Sequence, residues 1–299
     1  MSEQPGRQRL GIFRSPLITP PLREPHELTI IFLHGRGSSS DKFAQPLLEA
    51  PVAGLASFQE AFPHARFVFP TAPRRRATLY QRSVINQWFD GGSTVEDATV
   101  GYMLDTINFL HQLLKEEISL VGSESRKVFL GGISQGCATA LTTLLLWDGP
   151  PLGAVVGMCG FLPMPSQLLD IMSIQDQEND TANTSSHEDD VFDRDSSEHK
   201  TPSQQVLDLL RSEIGLSASS SDGDSSSSSF LSTPVFLGHG TKDEKVLLQH
   251  GNDAAQILQK MGLDVRFREY EGLEHWYSAE MLADIVSFLN EHFPEGASV

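Results

Sequence analysis

Three side chains, far apart along the chain, have the types and settings that acyl transfer requires. Ser134 lies in GGISQGCA (131–138), Asp243 in GHGTKDEKV (238–246) and His275 in EGLEHWY (271–277). A serine hydroxyl is a poor nucleophile until a base removes its proton, and the base needs a carboxylate to hold its tautomer. Gly132-Ile-Ser134-Gln-Gly136 fits the pattern in which a sharp strand-to-helix turn forces the serine backbone into strain and brings chain segments too close for side chains. Such a turn lifts Ser134 Oγ above the sheet. The next amide, that of Gln135, then stands at a helix N-terminus, aimed where a negative oxygen develops.

Position selects the partners. Of ten histidines, His187 and His199 fall in a polar, low-complexity tract, while His26, His34, His64 and His111 precede the serine. Enzymes built on this turn run in the order serine, acid, histidine. Among His239, His250, His275 and His292, His275 follows the last strand-like run and precedes the last helical pattern, which sets it in a loop at the sheet edge. Asp243 follows the strand-like PVFL; alone it would read as a helix-capping aspartate, and the other two residues make it the expected acid. His239 reads as a structural residue in a tight turn. The loop FLHGRGSSSD (32–41), with Gly35 and Gly37, is expected to supply a second oxyanion donor, the Arg36 amide beside that of Gln135. His34 and the serines after it match neither metal-ligand spacing nor a phosphate loop, so no metal and no cofactor is expected.

These residues need a scaffold. Strand-like runs occur at 28–34, 66–70, 127–132, 153–160, 233–239 and 265–271, mostly continuous and apolar as in strands buried on both faces of a parallel sheet. Helical spacing fills residues 95–118, 135–147, 247–261 and 278–292 between them. The alternation predicts an α/β chain with a mostly parallel central sheet and helices on both faces, where ligands sit beyond the carboxyl ends of the strands.

The net charge of the 299 residues is −17. Residues 166–233 hold 14 acidic and 3 basic side chains, a net −11, which leaves −6 for the rest. Without clustered Lys and Arg, a nucleic-acid partner is not expected. That same stretch is rich in serine and poor in apolar residues, and reads as a largely disordered insertion over 166–232. Two islands in it, 166–172 and 204–216, have amphipathic helical spacing and are candidates to pack near the substrate groove. The expected organisation is an N-terminal arm (1–26) and one domain formed by 27–165 and 233–294. The two cysteines, Cys137 and Cys159, lie in apolar stretches and suit reduced, buried thiols; no signal peptide or spanning segment is read, so the cytoplasm is the expected compartment.

Six motifs in order, FLHGRG (32–37), PTAPRR (70–75), QWFDGG (87–92), GGISQGCA (131–138), GHGTKDEKV (238–246) and GLEHWY (272–277), resemble the acyl-protein thioesterase and carboxylesterase (lysophospholipase) family of α/β-hydrolases. The resemblance runs from about residue 28 to 292 apart from the insertion. It implies the α/β-hydrolase fold, Ser134 as nucleophile, Asp243 as acid, His275 as base and oxyanion amides at Arg36 and Gln135. It also implies Trp88 as a residue beside the acyl groove, though core packing would account for Trp88 equally. Implied substrates are acyl esters or thioesters, carried by a lipidated protein or a lysophospholipid. The chain departs from the pattern at Cys137, where a second glycine is usual, at Arg36, where an apolar residue is common, and in the insertion. Two rival readings are a carboxylesterase confined to small molecules and a non-catalytic scaffold whose acidic insertion binds a partner.

Overall fold

The computed structural model describes residues 10–52, 54–92, 95, 101–182, 200–216 and 229–293. In chain order its elements are β1 (Leu17–Thr19), β2 (Leu28–Leu33), α1 (Ser40–Leu48), β3 (Ala65–Phe69), β4 (Arg74–Ala77), β5 (Ser83–Asn86), α2 (Met103–Leu120), β6 (Val128–Ile133) and α3 (Gln135–Leu145). There follow β7 (Ala154–Met158), α4 (Pro165–Ala182), α5 (Pro202–Ile214), β8 (Val235–Gly240), α6 (Leu248–Lys260), β9 (Val265–Tyr270) and α7 (Ala279–Glu291). Seven strands form one sheet in the order β1-β3-β2-β6-β7-β8-β9, parallel throughout except for β1, which pairs antiparallel with β3. This is the sheet that the apolar runs predict.

Burial on both faces explains why those runs do not alternate with polar residues. In β2, Ile31 and Leu33 enter one core cluster and Ile30 and Phe32 the other; in β6, Val128 and Leu130 face the first while Phe129 and Ile133 face the second. Helices α2, α3 and α6 cover the first face through residues such as Leu110, Leu141 and Ile257. Helices α1 and α7 cover the second through Phe43, Leu47, Ile285 and Phe288.

Both amphipathic islands of the acidic segment are helical. Leu168 and Met172 of α4, with Val206, Leu207, Leu210 and Ile214 of α5, are buried in the first core cluster. Helix α4 packs on α5 and α6. Helix α5 is well punctuated: Thr201 and Gln204 form a reciprocal capping box, Pro202 opens the helix, and Gly215 ends it at φ 80°. Of the disorder expected over 166–232 outside the two islands, residues 183–199 and 217–228 lie outside the described residues, whereas residues 173–182 differ from the expectation by continuing helix α4.

Three elements went unanticipated. Edge strand β1 belongs to the segment expected to be an arm, and α1 and the β4–β5 hairpin fall where no helical or strand-like run is read. The hairpin pairs the charged run Arg74-Arg75-Arg76 with Val84, Ile85 and Asn86. Among the described residues no helix is long and apolar enough to cross a membrane.

Candidate active site

Ser134 occupies the join between β6 and α3 with φ 57° and ψ −123°, a backbone state that an ordinary side chain rarely adopts. Close approach enforces it. A Cβ on Gly132 would lie 2.4 Å from the Gly136 carbonyl carbon, and one on Gly136 would lie 2.3 Å from the Leu33 oxygen. The Ser134 amide is tied to Met158 O at 2.9 Å on the neighbouring strand. Residues on either side of Ser134 are buried, while the serine itself is partly exposed.

The loop after β2 packs against this turn, since a Cβ on Gly35 would stand 3.5 Å from Ser134 Cβ. His34 fixes the loop's start: Nδ1–H donates to Gly35 O at 2.7 Å, and Nε2 accepts the Ala72 amide at 3.0 Å. That pair of bonds requires the neutral ring, and burial pushes the His34 pKa down to about 4. The hairpin holds the other end, with Gly37 N donating to Asn86 O at 2.8 Å and Asn86 Nδ2 to Ser38 O at 2.7 Å. The sequence hid this function of the hairpin because its charged strands do not read as core.

Gln135 contributes more than an amide at the head of α3. Its side chain, buried, accepts the Trp88 amide at 3.1 Å and donates to Phe89 O at 2.7 Å, which clamps the 87–90 segment against the nucleophile turn. Trp88 is not beside the groove. It is fully buried and donates its indole N–H to His34 O at 2.7 Å, so it braces the 34–37 loop from behind. Its neighbour Phe89 lines the cavity instead.

Across the cavity, Asp243 and His275 come from the loops after β8 and β9. His275 Nδ1 lies 2.7 Å from Asp243 Oδ2. The other carboxylate oxygen accepts the amides of Lys245 and Val246, each at 2.9 Å. A further donor escaped the sequence reading: His239 Nε2 lies 3.3 Å from Asp243 Oδ2 and 2.8 Å from Val246 O. Burial alone would raise the Asp243 pKa, but the bonds from His239, His275 and Val246 outweigh it and hold the group well below the ordinary carboxylate range. Because the ionised carboxylate accepts the hydrogen bond from Nδ1–H, His275 is left with Nε2 as its basic nitrogen.

Ser134 and His275 line one cavity of about 620 Å³, together with Arg36 and Gln135. Its walls are mostly apolar, with Phe43, Phe89, Phe161, Val246, Leu247 and Trp276 among them. Cys159, Asp243 and His275 place possible metal-binding atoms within 4.8 Å of one another. Their chemistry does not suit an ion: the carboxylate and imidazole already share a hydrogen bond, and burial pushes the Cys159 thiol up to about 12, far from the thiolate a metal takes.

A mostly parallel sheet flanked by helices, a strained serine at a strand-to-helix turn, and an Asp–His pair on later loops together define an α/β-hydrolase. The sequence profile of the Phospholipase/Carboxylesterase family matches residues 17–210 and 209–293, and the chain belongs to that family of ester hydrolases. It is similar to acyl-protein thioesterase 1 of Yarrowia lipolytica, with 26% identity over 288 residues, 94% of this chain and 98% of that one. It is also similar to carboxylesterase SOBER1 of Arabidopsis thaliana, with 24% identity covering 90% and 92% of the two chains. Among solved structures, the fold matches Zea mays acyl-protein thioesterase 2 with a TM-score of 0.61 at 21% identity, over 93% of this chain and 99% of that one.

Proposed function

We propose that Ser134, His275 and Asp243 are the catalytic triad of this hydrolase, that the Arg36 and Gln135 amides receive the oxyanion, and that acyl esters or thioesters are the substrates. One observation carries the reading: the 2.7 Å bond that fixes His275 on Asp243, with His275 and the strained Ser134 facing the same cavity. His275 Nε2 takes the Ser134 proton as Oγ bonds to the acyl carbon, and the carbonyl electron pair moves onto an oxygen facing the two amides. The imidazolium then protonates the leaving alcohol or thiol as its bond to the acyl carbon breaks. Water repeats the cycle on the acyl-enzyme, releasing the acid and restoring Ser134.

The apolar walls suit an acyl chain, and the names of the relatives support both thioester and ester as the scissile bond. A lipidated protein or a lysophospholipid would carry that chain. Two buried free thiols support the cytoplasm as the compartment.

Ser134→Ala is expected to lower turnover of a 4-nitrophenyl ester by about 10⁵- to 10⁶-fold and to abolish fluorophosphonate labelling. A folded variant that kept the parent rate would remove the assignment. Rates on butyrate, long-chain esters and an S-palmitoyl peptide then separate a general esterase from one that deacylates proteins.

A further inference from the structure

The side chain of Arg36 has no part in the mechanism above, which uses only its amide, yet Arg36 lines the same cavity as Ser134 and His275 and its guanidinium stands against Gly91, another lining residue. Gly91 makes the space for it. A Cβ at that position would fall 2.6 Å from Nη2 of Arg36 and 3.6 Å from Phe89 Cε2, so any larger residue would push the guanidinium from its place.

A guanidinium offers five N–H donors and no acceptor. Among the described residues no carboxylate lies within ion-pair distance of Arg36, and no acceptor takes a hydrogen bond from it. Asp90 is near enough to act on it electrostatically, but its oxygens accept the Thr78 amide at 2.9 Å and the Thr78 hydroxyl at 2.5 Å. Burial lowers the Arg36 pKa, with Tyr80 and Asp90 acting against that shift. Partial burial of a cation is costly unless an anion completes it.

Among the described residues, the other charged side chain of the lining has the same sign. Lys245 is the second permanent cation, and no aspartate or glutamate is among the described residues that line the cavity, in a chain whose net charge is −17. A cavity lined by one sign of charge between apolar walls concentrates ligands of the opposite sign.

We propose that the Arg36 side chain recognises an anionic oxygen group, carboxylate or phosphate, on the substrate, so that the enzyme favours acyl esters or thioesters bearing such a group over neutral counterparts of equal length. A planar guanidinium matches the two oxygens of either group in a forked arrangement. The inference rests on the catalytic reading given above.

Two substrate pairs test it and distinguish the two sources of charge. In one, the 4-nitrophenyl monoester of glutaric acid is compared with 4-nitrophenyl valerate, which places a carboxylate on the acyl part. In the other, 1-acylglycerol 3-phosphate is compared with the 1-acylglycerol of the same chain, which places a phosphate on the leaving group. Arg36→Leu is expected to reduce the anionic-to-neutral ratio of kcat/KM by about tenfold to a hundredfold in one pair, the size of a charge-assisted hydrogen bond. The pair that responds identifies the group. Arg36→Lys should keep part of the preference, and Gly91→Ala, which displaces the guanidinium without removing its charge, should lower it. Ratios cancel any general loss that a change in the oxyanion loop brings. Ratios unchanged by Arg36→Leu in both pairs overturn the inference while Ser134-dependent hydrolysis still stands. Hydrolysis that persists in Ser134→Ala overturns the catalytic reading and this inference with it.

Discussion

Gly132 and Gly136 enclose Ser134 with backbone atoms so near that a Cβ on either would lie 2.3 to 2.4 Å from a neighbouring main-chain atom. Across the cavity, Asp243 sits among four N–H donors, two amides and two imidazoles, in loops with ordinary side chains. The nucleophile half is thus held in shape by close packing, and the acid–base half by hydrogen bonds to one charge. Failure should differ accordingly. Removing a charge should damage the second half and leave the fold, whereas adding a methyl should damage the first half and the fold together.

Asp243→Asn is the sharpest break on the charged side. The amide keeps the volume but offers His275 a donor where an acceptor was, which favours the wrong tautomer; turnover is expected to fall by about 10⁴-fold. Thermal unfolding should move far less than the rate does. A variant within tenfold of the parent rate would mean that Asp243 does not orient His275.

Gly136→Ala tests the packed side. The added methyl meets Leu33 O at 2.3 Å and His34 O at 2.7 Å, backbone atoms at the end of β2 that cannot rotate away. Overpacking of this kind costs roughly 1–3 kcal/mol, and the yielding atoms carry the Arg36 amide with them. Both midpoint of unfolding and fluorophosphonate labelling rate should drop. Parent-like stability together with parent-like labelling would show that the two segments are free to separate.

The same division decides what could be read from the sequence. Strict demands leave marks: the glycines around Ser134, the continuous apolar runs of β2, β6 and β8, and the acid-to-histidine order all point to the observed arrangement. Contacts made through backbone atoms leave none. The hairpin that anchors Gly37 and Ser38 does so with amides, carbonyls and the side chain of Asn86, and its first strand is a run of arginines of which Arg74 and Arg76 face solvent. Trp88 was traceable to the right place but not to the right side, because an aromatic beside a groove and one braced behind it look alike until Phe89 is seen to take the lining position. His239 stood four residues from Asp243 in plain view. Its contact with the carboxylate depends on the bend after β8, which carries no signature beyond its glycine.

His34 is where the two modes of support meet, an ionisable group inside the half that packing holds. In the folded chain its pKa is pushed down to about 4 by burial, against an ordinary 6.5. Between those values the unfolded chain binds a proton that the folded chain refuses, so stability is complete above about pH 6.5 and declines as pH falls toward 4. The full decline from this group amounts to about 3 kcal/mol, taking 1.36 kcal/mol per pH unit. Urea unfolding of the parent at pH 7 and pH 4.5, compared with His34→Gln, measures it as the difference between the two pH slopes. Asp243 stays ionised over this range, because its own pKa lies below the ordinary carboxylate value. Acid should therefore loosen the 34–37 loop, whose Ala72 bond needs the neutral ring, before it disturbs the Asp243–His275 pair. Equal slopes in parent and variant would assign the acid sensitivity to other histidines and leave the packed half without an electrostatic weak point.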